Sequence, residues 1–352
     1  MNDTTLGPRY LMRWDHSRDQ GLLCDSVTTS HRLSELPVFT DAGLADLLDR
    51  YPREAIRVTT MGENPSHPNQ LQVGVLGGQT GQELINLVRV GRLRIQLRDV
   101  VLHSPMLDSV VQRLCFEMME CQPGLRTSEH SGVLEISSPG AIDYFRIDLE
   151  PNVFWQVRGS RNVSTYRLSE PCVSERTLNQ MIVGATNRPL YFEPAFDDLA
   201  VVYSLIGGQA LGLPHLTPYR TVNDDSLNVA LTTSYCTQKT KQTIGVRRVN
   251  HMLASILPYL STMNGLCMRV LKGGLARFLD RANHAEWGLE PTFLVDSKSP
   301  NCVAPLNIAS NESVARIGAP IEDDSMTLPL PALSVPGLEF EAATPISVST
   351  EN

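Results

Sequence analysis

Two side chains of opposite charge, Arg146 and Asp148, stand two residues apart in the segment Tyr144-Phe145-Arg146-Ile147-Asp148. Residues two apart on a β-strand share one face. Tyr144, Arg146 and Asp148 are therefore predicted to point together, with Phe145 and Ile147 on the opposite face. A buried charge is costly unless it is paired. The spacing thus predicts an interior ion pair, or a polar pocket that takes a charged ligand.

The composition limits the classes of protein to consider. The chain has 352 residues, 42% of them hydrophobic, and a formal net charge of −8. This length suits one large domain or two ordinary ones, and no dense block of Lys and Arg predicts nucleic-acid binding. No apolar run reaches the roughly 18–20 residues that a membrane span needs. Seven scattered cysteines without a Cys-x-x-Cys motif favour reduced thiols and a cytoplasmic protein.

The middle of the chain has the pattern of a β-barrel. From residue 131, short alternating segments are separated by turn residues, as in a jelly roll with an interior pocket. One helix, over 174–184, interrupts the series. The predicted strands cover 133–137, 142–148, 153–158, 162–166, 199–205, 210–213, 220–222 and 227–235.

The other regions differ in pattern, and the whole is predicted to be mainly β with added helices (α+β). Residues 1–130 form an N-terminal helical or α+β section packed on the barrel, which spans 131–240. Residues 241–296 are predicted to form C-terminal helices. Residues 297–352, rich in Pro and Ser, are predicted to be a flexible or surface-wrapping tail.

Several segments, in order, resemble bacterial cupin-like proteins of the JmjC-type Fe(II)/2-oxoglutarate oxygenase family. This resemblance implies a double-stranded β-helix barrel, the cupin jelly roll. In the family, two histidines and a carboxylate hold Fe(II) beside the co-substrate 2-oxoglutarate. The similarity covers roughly residues 30–260, including Thr60-Met61-Gly62-Glu63, Ile136-Ser137-Ser138-Pro139, Trp155-Gln156-Val157-Arg158-Gly159, Pro194-Ala195-Phe196-Asp197 and Asp225-Ser226-Leu227-Asn228-Val229-Ala230-Leu231-Thr232-Thr233.

The chain departs from this family at the metal ligands. Asp148 matches the carboxylate, but Arg146 and Tyr219 stand where the family has histidines. Arginine stays protonated and only donates hydrogen bonds, and tyrosine has an ordinary pKa near 10. The expectation is a degenerate site with no metal, for which Asp148 and His215 are the weak candidate ligands. Asn152 matches a polar position that relatives place beside the metal.

The residues that correspond to the co-substrate pocket match the family better than the metal ligands do. Arg161 matches the basic residue that holds the far carboxylate of 2-oxoglutarate in relatives, and arginine can bind a carboxylate through two hydrogen bonds. Thr232 and Ser234 lie on a later strand that contributes polar groups to this pocket. Together with Arg146, these residues predict a cationic pocket for a small anionic ligand.

Three functions remain open from the sequence. The first is a degenerate oxygenase fold, a pseudoenzyme that binds a small anionic ligand or partner without a cofactor. The second is an active 2-oxoglutarate-dependent hydroxylase with a rewired metal site, which would need Fe(II) and 2-oxoglutarate. The third is a scaffold that forms a homodimer through the helices after the barrel and keeps a vestigial pocket. The catalytic motifs Gly-x-Ser-x-Gly, the P-loop and His-Glu-x-x-His do not occur in the sequence.

Overall fold

The computed structural model describes residues 9–14, 25–122, 124–182, 190–256, 291–296, 299 and 302–305. Strands in these residues form one eleven-stranded sheet and one four-stranded sheet. Within the described residues, no helix combines the length and the apolar character needed to cross a membrane.

Eight consecutive strands are divided equally between the two sheets, and the chain changes sheet at every connection except the one from β9 to β10. The large sheet contains the order β11-β8-β13-β6, and the small sheet has the order β10-β9-β12-β7. Two facing four-stranded sheets connected in this way are the jelly roll of cupins, so the predicted fold is confirmed. The strands are β6 (Ser128–Ser137), β7 (Ile142–Ile147), β8 (Asn152–Arg158), β9 (Ser160–Thr165), β10 (Val201–Ile206), β11 (Gln209–Leu213), β12 (Pro218–Asn223) and β13 (Asn228–Cys236).

Gly159 makes the tight change of direction between β8 in the large sheet and β9 in the small one. Its φ of +74° lies in the left-handed region, and a Cβ there would stand 2.5 Å from the carbonyl oxygen of Leu227. Glycine satisfies both constraints without strain. The turn places Arg161, two residues later, on the strand that faces the large sheet.

The N-terminal section extends the large sheet on both sides of the roll. Strands β1 and β2 continue it beyond β11, while β5, β3 and β4 continue it beyond β6. Strands of the N-terminal section can therefore contribute side chains to a site in the roll. These strands are β1 (Leu11–Trp14), β2 (Val27–His31), β3 (Ile56–Thr60), β4 (Gln72–Val75) and β5 (Leu93–Leu97).

Four helices cover one face of this extended sheet and share one hydrophobic core with it. Thr40, Thr80 and Ser104 begin three of them as N-caps, and Thr80 forms a full capping box with Glu83. Burying a leucine such as Leu114 stabilises this packing by about 2 kcal/mol. The helices are α1 (Asp41–Arg50), α2 (Gly81–Val90), α3 (Val100–His103) and α4 (Pro105–Cys121).

Two further helices are α5 (Glu175–Ile182), between β9 and β10, and α6 (Gln238–Ile256), after β13. The first is the helix predicted within the strand series. The second begins three residues before the section predicted as C-terminal helices, 241–296, and residues 257–290 of that section lie outside the described residues. Phe145, on the outer face of β7, packs in a cluster with α5 that also contains Phe192 and Phe196.

The section predicted as C-terminal helices, 241–296, ends in a strand. Residues 291–295 form the strand β14 (Pro291–Val295), which pairs in parallel with β4 and continues the large sheet. A second short strand, β15 (Val303–Pro305), pairs with it inside the predicted tail. Phe293 explains the placement, since its buried ring fills the space above Gly74, which has no side chain. The rest of 297–352 is almost entirely outside the described residues.

Candidate functional site

A cavity of about 290 Å³ lies between the two sheets of the roll. It is lined by strands from both sheets and also by β3 and β5 of the N-terminal section. Eight charged side chains contribute to the lining, five of them arginines and three carboxylates. They are Arg57, Arg94, Arg98, Arg146, Arg161, Glu135, Asp143 and Asp148.

A β-bulge in β7 decides which of its side chains reach the cavity. Arg146 pairs with Tyr219 and Asp143 with Thr221, so the two residues between them on β7 face a single residue on β12. The extra residue shifts the alternation by one position. Asp143 therefore lines the cavity together with Arg146, and Tyr144 does not.

The prediction that Tyr144 shares the pocket with Arg146 and Asp148 is thus wrong. Tyr144 is buried in a separate apolar cluster, and its hydroxyl accepts a hydrogen bond of 3.0 Å from the backbone N–H of Gly62. Strict alternation fails here because the bulge precedes Arg146. From Arg146 to Asp148 the predicted spacing holds, and both side chains line the cavity.

Asp148 lies at the centre of a polar cluster whose other members are Arg146, Asn152 and Tyr219. All four are residues that the sequence predicts as site candidates. Arg146 donates from Nη2 to Oδ1 of Asp148 at 2.6 Å. Asn152 donates from Nδ2 to Oδ2 at 2.7 Å, and the phenol of Tyr219 donates to the same oxygen at 2.6 Å. Both carboxylate oxygens of Asp148 are therefore engaged by donors of this chain.

The protonation states of this cluster follow from its burial. Burial raises the pKa of Tyr219 well above its usual value, and the nearby carboxylate of Asp148 adds to the rise against the opposing charge of Arg146. Burial disfavours the charge of Arg146, but the nearby acidic groups, Asp148 foremost and Asp143 as well, more than compensate and raise the pKa of Arg146 well above its usual value. Tyr219 is thus a neutral donor and Arg146 a permanent cation.

A second group of charges surrounds Glu135 on β6. Arg94 and Arg161 both pair with its carboxylate, at 3.2 and 3.3 Å. Burial alone would raise the pKa of Glu135, but these two guanidiniums outweigh it and hold the pKa below its ordinary value. Arg94 also lies 3.3 Å from Asp143, which connects this group to the strand that carries Arg146.

Arg161 lines the cavity, and its side chain is only 4% exposed. One guanidinium nitrogen, Nη2, is used by Glu135. The Nε of Arg161 is buried and has no hydrogen-bond partner among the described residues. A buried donor without a partner is unfavourable, so a ligand that accepts a hydrogen bond from it would relieve that cost.

The remaining predicted residues divide into two groups. Thr232 and Ser234 line the cavity from β13. His215 does not belong to the lining, and the pKa of its imidazole is lowered by burial and by the positive charges of Lys239 and Arg247. The next residue, Leu216, donates its backbone N–H to the carbonyl oxygen of Asp148 at 3.0 Å, but the charged groups that act on the imidazole are the cationic residues of α6.

Five charged lining residues were missed by the sequence prediction: Arg57, Arg94, Arg98, Glu135 and Asp143. A signal for two of them was present, because Arg94, Gln96 and Arg98 alternate with leucine and isoleucine over residues 93–98. That alternation gives the two arginines a common face. It does not reveal that β5 lies beside β6, which only the sheet order shows.

The residues around Asp148 do not fit Fe(II). The ion needs neutral or anionic donors with free lone pairs, whereas this cluster supplies a guanidinium cation and a protonated phenol. The guanidinium of Arg146, which contacts the carboxylate of Asp148, would repel an Fe(II) ion at that carboxylate. No group of three or more His, Cys, Asp or Glu side chains suited to a metal ion occurs within the described part of the chain.

Neither a protein-family model nor a curated protein matches the sequence. The structure is similar to that of YcfD of Escherichia coli, with 12% sequence identity and a TM-score of 0.42, over 74% of this chain and 65% of that one. Another structure of YcfD, described as a ribosomal oxygenase in complex with cobalt and 2-oxoglutarate, matches with 11% identity and a TM-score of 0.41, over 78% and 71%.

A smaller similarity joins the chain to an RmlC-like cupin from Shewanella frigidimarina, with 14% identity and a TM-score of 0.21. It covers 32% of this chain and 69% of that one. At these levels of identity the assignment of the fold rests on the strand order described above.

Proposed function

We propose that this chain is a cupin-type barrel that binds a small anionic ligand in its cavity without iron chemistry. The observation that carries the proposal is the state of Asp148, whose two oxygens accept hydrogen bonds from Arg146, Asn152 and Tyr219. The carboxylate that matches a metal ligand is used instead to hold a cation in the barrel. The protein would accordingly act by binding.

The charge of the cavity supports an anion as the occupant. Five arginines and three carboxylates line it, and charged hydrogen bonds from guanidinium to carboxylate or phosphate are among the strongest in proteins. Arg161 offers a buried Nε–H without a partner among the described residues. Thr232 and Ser234 add hydroxyl groups on the opposite sheet.

The proposal is tested by thermal stabilisation and calorimetric titration of the full chain with a panel of small mono- and dicarboxylates. At least one member is expected to raise the melting temperature and to bind. Arg161→Gln should weaken that binding at least tenfold, while Arg50→Gln, which removes an exposed arginine of α1 outside the cavity, should leave it unchanged. Thr232→Val tests the same cavity if Arg161→Gln does not fold.

Two results would overturn the proposal. The first is a panel in which no anion binds the wild-type chain, as the scaffold alternative requires. The second is stoichiometric iron in protein purified with Fe(II), accompanied by turnover of 2-oxoglutarate, as the hydroxylase alternative requires.

A further inference from the structure

The small sheet ends at β10 on one side and at β7 on the other, within the part of the chain that the structure describes. These two edges differ. β7 carries Asp143 and Arg146 and contains a β-bulge, and charges and bulges keep edge strands from pairing with other chains. β10 has six residues, regular pairing with β9, no charged residue and no proline. Its free edge is therefore open to an additional strand.

The backbone of β10 offers hydrogen-bonding groups on this edge. The N–H of Ile206 donates to Oε1 of Gln209 at 3.1 Å, and it therefore points away from β9. Backbone groups alternate in direction along an antiparallel strand, so the N–H and C=O groups of Val202 and Ser204 point the same way. No strand among the described residues pairs with them. The edge thus presents two donors and two acceptors in a row.

A groove of about 480 Å³ lies along this edge. Four consecutive residues of β10, Val202–Leu205, line it, as expected when the backbone edge rather than one face of the strand forms the wall. The opposite wall includes Thr28 and Ser30 of β2. The large sheet continues with β2 and β1 beyond β11, whereas the small sheet stops at β10. A strand added to β10 would therefore lie across from β2.

The groove selects the chemistry of its occupant. All the residues that line it are uncharged, and Val202 and Ile206 of β10 are 57% and 58% exposed. A chain beside β10 thus meets apolar side chains at alternate positions and no charge. The surroundings change before the strand begins, where Asp198 is exposed and makes no ion pair within the described residues, while Asp197 pairs with Arg220. A basic residue therefore fits at that end of the occupant.

A second copy of this chain does not fit the edge in the same way. A symmetric pair of copies would join two β10 strands side by side in antiparallel orientation. Each copy extends its large sheet by β2 and β1 past its own β10, and this extension would occupy the space of β11 of the other copy. A single extended segment brings no such sheet with it.

We propose that the free edge of β10 binds an extended segment of another protein as a fifth, antiparallel strand of the small sheet. The segment is uncharged and apolar at alternate positions along β10, and ends in Lys or Arg beside Asp198. In this mode of recognition main-chain hydrogen bonds supply the affinity, and alternate side chains supply the specificity. The groove shares no lining residue with the barrel cavity, so the inference goes beyond the proposed function and is independent of it.

The test measures binding of capped hexapeptides to the full chain by fluorescence anisotropy. In these peptides Thr alternates with Val, Ile, Leu or Tyr, and the last residue is Lys. At least one peptide is expected to bind, and replacement of its Lys by Glu should weaken binding at least twofold. Failure of every peptide to bind would overturn the inference, and equal binding of the Lys and Glu forms would overturn the assignment of the basic residue.

N-methylated peptides distinguish backbone pairing from apolar contact. Only every second amide of an added strand faces β10. Methylation of one alternate set of amides should therefore abolish binding, and methylation of the other set should not. Binding that survives both sets would overturn the inference.

Variants place the peptide on β10. Ser204→Pro removes an N–H that points away from β9, where edge strands tolerate proline, and should weaken binding at least tenfold. Ser204→Ala loses only the hydroxyl, which donates to Asn162, and should bind like the wild type. Val202→Lys places a charge on the edge and gives an independent measurement if Ser204→Pro does not fold. Peptide binding that survives both Ser204→Pro and Val202→Lys would overturn the inference.

Hydrogen exchange of the full chain identifies any other occupant of the edge. The amides of Val202 and Ser204 should exchange rapidly in the free protein and slowly with bound peptide. Slow exchange without peptide at every protein concentration would mean that another segment of this chain covers the edge. Slow exchange that appears together with dimerisation would mean that a second copy covers it. Either outcome would overturn the inference.

Discussion

The guanidinium of Arg146 and the carboxylate of Asp148 form an ion pair with Nη2 and Oδ1 2.6 Å apart. These two residues are close in sequence. The other oxygen of Asp148 accepts a hydrogen bond from a residue distant in sequence, Tyr219 of β12. The strand pairing places Tyr219 directly opposite Arg146. Arg146, Asp148 and Tyr219, the three residues that the sequence predicts together as a metal-free site, therefore converge in space and form a closed hydrogen-bonded cluster.

This convergence predicts that a metal site can be restored. The double substitution Arg146→His and Tyr219→His replaces a cation and a phenol with two imidazoles beside Asp148, the two-histidine, one-carboxylate set that binds Fe(II). Anaerobic metal analysis after dialysis is expected to find close to one iron per chain in the variant and far less in the wild type. Adding Asp148→Ala to the double variant should remove the gain, and a double variant that binds no more iron than the wild type contradicts the prediction.

The hydrogen bond from Tyr219 to Asp148 is predicted to stabilise the fold. Tyr219→Phe removes a buried donor to a charged acceptor, and bonds of this kind contribute about 2 kcal/mol. Urea denaturation should show a loss of that size. Tyr191→Phe is a matched control, because it removes a phenol that donates to Glu193 from a side chain that is 71% exposed. The control should change the free energy of unfolding by less than about 0.5 kcal/mol, and equal losses in both variants would contradict the prediction.

The roll could be predicted from sequence because its signal is local. Alternating residues and turn residues such as Gly159 indicate where strands begin and end. These limits can be predicted without knowing which strands pair with each other. The bulge before Arg146 could not be predicted, because it is defined by the residues opposite it on β12. One inserted residue was enough to exchange Tyr144 for Asp143 in the cavity.

The arginines that the N-terminal section contributes to the cavity were missed for a related physical reason. Alternation assigns Arg94 and Arg98 to one face of β5, but it does not say which strands lie on either side. The contact between Arg94 and Glu135 joins residues 41 positions apart in sequence, across β5 and β6. A site formed by strands that are neighbours in the sheet but distant in sequence can be recognised only when the sheet order is known.

Glu135 is predicted to stabilise the protein at neutral pH and to lose that effect in acid. Its pKa in the folded state is depressed, because Arg94 and Arg161 outweigh the effect of burial. The contribution is complete above the unfolded pKa of about 4.3 and disappears as the pH falls through the lower folded value. Glu135→Gln removes the carboxylate that pairs with Arg161 and leaves Arg94 with Asp143 as its remaining described carboxylate partner. The substitution should cost roughly 3 kcal/mol at pH 7.

Urea denaturation of Glu135→Gln and wild type at pH 7, 5 and 3 measures this dependence. The difference between the two proteins should be largest at pH 7 and should shrink at pH 3. Glu54→Gln, at an exposed position, should follow the wild type at each pH. A difference that stays constant from pH 7 to pH 3 would show that Glu135 acts through packing rather than through its charge.

His31 is predicted to make the fold sensitive to pH between about 6.5 and 4. Its Nδ1 accepts a hydrogen bond from the N–H of Leu33, and its Nε2 donates to the carbonyl oxygen of Gln209, both at 3.1 Å. The ring also packs edge-on against Trp155, with centroids 5.7 Å apart. Burial lowers the pKa of this neutral imidazole to about 4. The unfolded chain, with a histidine pKa of about 6.5, therefore takes up the proton first.

As the pH falls from about 6.5 to 4, this difference should lower the free energy of unfolding by roughly 3 kcal/mol, and below pH 4 the His31 contribution should change no further. His31→Gln is expected to be less stable at pH 7, because it loses the ring and one of its hydrogen bonds, but also to show a smaller decline over this interval. His67→Gln, at an exposed position, should keep the full decline. If His31→Gln and wild type lose stability in parallel between pH 6.5 and 4, another group is responsible for the acid sensitivity of the fold.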